Sequence, residues 1–255
     1  MKSENNNISI DKLIAIIKQL RAPNGCDWDK QQTHKSLIPY LLEETYEVIE
    51  AIEKNDYNAL KEELGDLLLH VLFQTVLSEE KNKFNIRDAI SSICEKLINR
   101  HPHIFYDKNN PKWKKPNWEE SKQKEKNRDS IIDGVPTALP ALHRSRRIQE
   151  KAASVGFDWE KKEQVLDKLD EEVIELKDAI NKNEGIEEEL GDVLFTVVNL
   201  SRHLNYNPET ALKSSINKFS KRFKRIEKDL KQKNINMKDL SLRELDKIWD
   251  KNKKK

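Results

Sequence analysis

Two clusters of carboxylates occur twice in this chain at closely matched spacing. Glu43-Glu44-x-x-Glu47 precedes Glu63-Leu64-Gly65-Asp66, and Glu171-Glu172-x-x-Glu175 precedes Glu189-Leu190-Gly191-Asp192. On a helix, residues three and four apart share a face. Glu44 with Glu47, Glu63 with Asp66, Glu172 with Glu175 and Glu189 with Asp192 therefore project as pairs. The connectors, around Asn55–Asn58 and Asn181–Gly185, are short, which favours antiparallel neighbours. The acidic faces then meet across a helix–helix groove. Four or five carboxylates in one groove repel one another unless a cation neutralises them. Oxygen-only ligands suit Mg²⁺, with Mn²⁺ as a substitute, rather than Zn²⁺. Mg²⁺ keeps waters and completes its shell from substrate phosphates, so the chemistry suggested is metal-assisted attack of water on a polyphosphate.

Most Glu-rich helix faces are simply solvated. Here the acids interrupt apolar runs instead: Asp66 precedes Leu67-Leu68-Leu69, and Asp192 precedes Val193-Leu194-Phe195. Partial burial of a carboxylate is costly without compensation. A di-iron bundle would want Glu-x-x-His, but the third residue after Glu63 and Glu189 is Asp, and His70 and His203 lie elsewhere. A basic stretch, Lys218, Lys221, Arg222 and Arg225, follows the second acidic set on one helix side, where it suits a triphosphate tail or a solvated face. Trp249 suits either stacking on a base or anchoring the end of the chain.

The elements that must hold these groups read as helices. Leu13, Ile14, Ile17 and Leu20 form a stripe at three- and four-residue steps. So do Leu41, Leu42, Thr45, Val48, Ile49 and Ile52, then Leu64 to Thr75, then Ile86 to Ile98. No segment alternates like a strand, and the chain is expected to be all-α. Gly25-Cys26-Asp27-Trp28-Asp29-Lys30 matches Gly156-Phe157-Asp158-Trp159-Glu160-Lys161, and Lys96 and Arg100 fall opposite Lys218 and Arg222. Such order marks a tandem duplication. Breakers crowd residues 101–137, and a short helix is expected near Trp118–Lys126. The expected domains are 1–110, a linker over 111–137, and 138–255.

The 255 residues carry 47 basic and 45 acidic side chains, and this near balance argues against nucleic-acid binding. Cys26 and Cys94 form no C-x-x-C pair, so free thiols in a reducing compartment are expected. Met1–Asn7 lacks a signal-peptide core, and no apolar run is long enough to span a bilayer. A soluble cytoplasmic protein without membrane contact is the expectation.

These motifs resemble the MazG-type nucleotide pyrophosphohydrolases. Beyond the acidic pattern, Asn24–His34, Leu42–Val48, Arg100–Phe105, Leu139–Leu142, Val155–Trp159, Glu187–Phe195 and Val198–Leu204 look like the two-domain bacterial branch, over nearly the whole chain. The resemblance implies Mg²⁺-dependent hydrolysis of nucleoside triphosphates to monophosphate and pyrophosphate, broad base specificity, a homodimer of helical units, and catalysis in the C-terminal copy. It implies Glu172, Glu175, Glu189 and Asp192 as metal ligands. It implies nucleotide contacts from Lys168, Leu169, Asp170, Glu171 and Glu172, from Gly185, Ile186, Glu187 and Glu188, from Asp192, and from Lys218, Phe219, Ser220, Lys221, Arg222 and Trp249. Glu171, flanking the ligands, is expected to be the general base, acting beside Glu172. Glu44, Glu47, Glu63 and Asp66 are expected to bind metal with little hydrolysis. Asp27 departs from the family, which often has Pro there. The alternatives are a narrow house-cleaning pyrophosphatase for deoxy or damaged nucleotides, and a regulatory nucleotide- or alarmone-binding protein.

Overall fold

The computed structural model describes residues 9–113 and 129–253, and every regular element among them is helical. The chain divides into two compact units, Met1–Asn117 and Trp118–Lys255. The helix expected near Trp118–Lys126 lies outside the described residues. Residues 111–113 and 129–137 carry turns and bends but no helix.

The first unit contains α1 (Ile10–Arg21), α2 (Asp27–Gln31), α3 (Ile38–Lys54), α4 (Tyr57–Glu80), α5 (Ile86–Arg100) and α6 (Pro102–Phe105). The single turn of α6 starts inside the breaker-rich stretch because Pro102 takes a first-turn position, where its missing N–H costs nothing. Ser9 opens α1 by accepting from the Lys12 amide, and Asn85 with Asp88 closes a capping box on α5. The core gathers Ile17 of α1, Leu37, and Leu72, Phe73, Val76 and Leu77 of α4. Arg21 ties α1 to α4 through two bonds of 2.7 Å to the Glu80 carboxylate, and its guanidinium lies 5.4 Å from the Phe73 ring centre. Gly25 makes the turn after α1 sterically feasible, since a Cβ there would stand 2.2 Å from the Leu20 carbonyl oxygen.

The second unit contains α7 (Ala141–Ala153), α8 (Lys162–Lys182), α9 (Ile186–His203), α10 (Pro208–Gln232), a 3-10 turn (Met237–Asp239) and α11 (Leu242–Lys253). Val165, Ala179, Val198, Ile226 and Leu230 are its buried apolar residues.

The duplication reaches the turn chemistry. Asn55 ends α3 and Asn183 ends α8 in the left-handed conformation, at φ 55° and 53°. Asparagine tolerates that region better than other L-residues with a Cβ. Their amides return to Ala51 and Ile52 in one unit and to Ala179 and Ile180 in the other. Each turn sends the next helix back along its predecessor, which is how the acidic faces meet.

Candidate functional site

The antiparallel register can be read from which acids disturb which. Asp66 is the strongest charged neighbour of Glu44, Glu47 of Glu63, and Glu175 of Glu189. Glu44 thus stands opposite Asp66 on α3 and α4, and Glu47 opposite Glu63. In the second unit Glu175 stands opposite Glu189. Carboxylate oxygens of Glu44, Glu47 and Glu63 lie within 4.8 Å of one another, as do those of Glu172, Glu189 and Asp192. Asp66 and Glu175 stand outside these triples yet close enough to act on them. The eight acids that helical spacing pairs in the sequence therefore gather as two quartets.

Glu172 is the most buried acid of its quartet, 6 % exposed. Its Oε1 accepts from Lys168 Nζ at 2.8 Å. Its Oε2 is buried with no hydrogen-bond partner. Lys168 also donates to Glu171 at 2.7 Å, and the bonds to Glu171 and Glu172 hold its ammonium well above the usual lysine range. Glu171 is exposed, so the groove wall is Glu172 and the rim is Glu171.

Burial, reinforced by Asp66, Glu47 and Glu63, pushes the Glu44 carboxyl up to about 7. Burial followed by Glu47 raises Glu63, and burial followed by Glu175, Asp192 and Glu172 raises Glu189. Crowded acids behave in this way when no cation balances them. An oxygen-only donor set and raised carboxyls in both grooves, with a buried acceptor without a donor in the second, fit a hard divalent cation.

The other expected contact residues fall in three places. Leu169 and Asp170 share α8 with the acids. Gly185 takes φ 69° as the N-cap of α9, with Ile186, Glu187 and Glu188 in the first turn. On α10, Lys218 and Lys221 are exposed and Ser220 half-buried. Phe219 lies 5.0 Å from Trp249 and stacks on Phe223 at 5.9 Å. The Arg222 guanidinium sits 5.8 Å from the Trp249 ring centre. Trp249 thus packs against Phe219 and Arg222.

One constellation escaped the sequence reading. Asp158 accepts from Arg202 Nη1 at 2.9 Å, from Arg202 Nη2, and from His203 Nε2 at 3.2 Å. Burial alone would raise the Asp158 carboxyl, but the Arg202 and His203 bonds outweigh it and hold it low. The Trp159 amide also donates to Asp158 at 2.9 Å, so the Gly156–Trp159 loop is bound to the end of α9. Beneath that loop lies a largely apolar cavity of about 550 Å³. Gln149 reaches into it from α7. Its Nε2 donates to the Phe195 carbonyl at 2.9 Å, while its Oε1 is buried without a partner. The duplicated Asp-Trp step was the available signal.

Helical bundles with oxygen-only acidic grooves across antiparallel helix pairs have the donor set of proteins that use divalent cations. The chain belongs to the MazG nucleotide pyrophosphohydrolase family: the profile of the MazG nucleotide pyrophosphohydrolase domain matches residues 32–105 and 160–227. It is 46 % identical over 248 residues to the nucleoside triphosphate pyrophosphohydrolase/pyrophosphatase MazG of Thermotoga maritima, covering 96 % of each chain. It is 40 % identical over 250 residues to the nucleoside triphosphate pyrophosphohydrolase of Escherichia coli K12, covering 94 % of this chain and 95 % of that one. It is also 42 % identical over 246 residues to the uncharacterised protein YabN of Bacillus subtilis, covering 92 % of this chain and half of that one. No helix among the described residues is long and apolar enough to cross a membrane.

Proposed function

We propose that this enzyme is a nucleoside triphosphate pyrophosphohydrolase that works with Mg²⁺, accepts many bases, and acts through its second unit. The observation that carries the reading is Glu172 Oε2, buried and unpartnered beside Glu189 and Asp192. Glu172, Glu175, Glu189 and Asp192 would hold the cation. When bound, a divalent cation neutralises phosphate charge and makes water a better nucleophile at neutral pH.

The chain's own groups do the rest. Lys168 fixes Glu172 and holds Glu171 at the rim. Glu171, once released from Lys168, takes the proton of the attacking water. Lys218, Lys221 and Arg222 balance the charge that collects on the leaving pyrophosphate, and Trp249 orients Arg222 for that task. Glu44, Glu47, Glu63 and Asp66 hold a cation with little turnover, since Ile98 and Asn99 stand where the second copy has Ser220 and Lys221. Phosphorus NMR of a reaction with ATP and Mg²⁺ tests the reading. AMP plus pyrophosphate is the expected outcome, and ADP plus phosphate overturns it.

The acting species is a homodimer. Leu190, Leu194 and Val197 of α9 are exposed, with Leu194 at 51 %. Gly191 lies among them, and a Cβ there would meet nothing within 4 Å. A helical glycine costs about 1 kcal/mol against alanine, and nothing in its own unit explains it. A partner helix approaching that face does. Light scattering should give about twice the 30.0 kDa chain mass, and Leu194→Lys should return the single-chain mass. A wild type with the single-chain mass at micromolar concentration would refute the dimer.

A further inference from the structure

We propose that the solvent face of α10 is a docking surface for the phosphate backbone of a nucleic acid. The near balance of the whole chain hides two opposed parts. From Pro208 onward the sequence carries 16 basic and 7 acidic residues, a surplus of +9. The preceding 207 residues carry the other 31 basic and 38 acidic ones (47 − 16 and 45 − 7), a balance of −7. Charge asymmetry within one chain is a footprint of polyanion binding.

α10 concentrates that surplus on one side. Asn217, Lys221, Lys224, Lys228 and Lys231 follow one another at four- and three-residue steps, so they share a face. All five are exposed, while Ile226 and Leu230, turned away from them, are buried. The four lysines cover about 15 Å of helix. None of them has an ion-pair partner among the described residues. Only Lys231 lies in the last turn, where a cation complements the helix dipole. Like charges three and four apart destabilise a helix. A face kept only for solvation can alternate its signs, as α3 does with Glu50 and Lys54. An unrelieved row of cations carries a cost that a polyanion removes.

The chemistry of the row favours phosphates over other anionic surfaces. Lysine is a flexible point charge, and it holds a phosphate without reading a base. Duplex DNA offers one charge per about 1.7 Å of its axis, so a row of this length meets several. A bilayer surface would engage apolar groups on the same arc, and the row has none. Lys221 is the one member shared with the proposed pyrophosphate contacts. Lys224, Lys228 and Lys231 run on from it toward the end of the helix.

The test is fluorescence anisotropy of the full chain with a labelled oligo(U) and a labelled duplex DNA of equal length, in about 50 mM salt. Wild type should bind at micromolar concentration, more weakly as salt rises, and the tighter probe tells single strand from duplex. Lys224→Gln/Lys228→Gln/Lys231→Gln should weaken binding about tenfold or more. It should lower the log–log salt slope for oligo(U) by about 2, or about 0.7 for each lost phosphate contact. Melting temperature and pyrophosphate release from ATP should stay at wild-type values. Should the triple variant melt early, Lys228→Gln alone should still lower the slope by about 0.7. Lys61→Gln/Lys83→Gln/Lys108→Gln, which removes as much charge from exposed positions of the first unit, should bind as wild type does. Equal weakening in both triple variants would overturn the proposal, because net charge alone would then explain binding. So would displacement of oligo(U) by ATP with Mg²⁺, which would place the strand at the acidic groove. Binding of neither nucleic acid would also overturn it, and phosphatidylserine vesicles bound in their place would mark a membrane face instead.

Discussion

Glu172→Gln reduces formation of nucleoside monophosphate and pyrophosphate by about 10²–10³-fold or more, while Glu44→Gln leaves most of it. The two acids occupy equivalent places, yet only one serves the proposed chemistry. Glutamine keeps the size of Glu172 and an oxygen for Lys168, so packing in α8 is preserved. What it removes is a negative charge beside Glu189 and Asp192, hence the balance that a cation needs. The folded protein should melt no lower than wild type without metal, since substitution relieves repulsion among the acids. Calorimetry should show weaker Mn²⁺ binding in parallel with the lost rate. Pyrophosphate release that survives Glu172→Gln but disappears in Glu44→Gln would reverse the assignment of the two units.

Without divalent cations, thermal stability falls as pH rises from about 5 to 8, and adding Mg²⁺ at pH 8 restores it. The sign follows from the raised carboxyls. The Glu44 carboxyl stands near 7 in the fold against an ordinary 4.5. The folded state therefore favours the protonated form. The stability linked to that proton is complete below the unfolded value and is lost as pH rises through about 7. Glu63 and Glu189 shift in the same direction. A cation replaces the protons, so its binding should release them, and a weakly buffered titration will detect the release. Asp158 behaves in the opposite sense. Its lowered carboxyl makes the Gly156–Trp159 loop loosen only under strong acid. A metal-free melting temperature that stays flat or rises from pH 5 to 8 would contradict the account.

The acidic quartets were legible because they depend on local periodicity. Three- and four-residue spacing placed each pair on a face, and a short connector brought the faces together. The all-α fold followed from the same stripes. The tertiary partners were not legible. Gln149 meets Phe195 across 46 positions, and Arg202 meets Asp158 across 44. Nothing in the local pattern of either residue announces its partner. The sequence likewise could not say that Asp66 and Glu175 stand just outside their triples, since that depends on helix packing at the ångström scale. Trp249 was visible as a residue with two uses, and only its contacts with Phe219 and Arg222 show the packing use.

The packed core of the first unit bears on how two copies of one sequence hold themselves together. A cavity forfeits the contacts its lining would otherwise make, and large apolar residues that fill one commonly contribute a few kcal/mol. Phe73 and Val76 are buried in the first unit's core at positions where the second copy carries Asn199 and Arg202. Two copies of one sequence can thus draw their cohesion from different residues, so a substitution at one such position need not cost the same as a substitution at its counterpart.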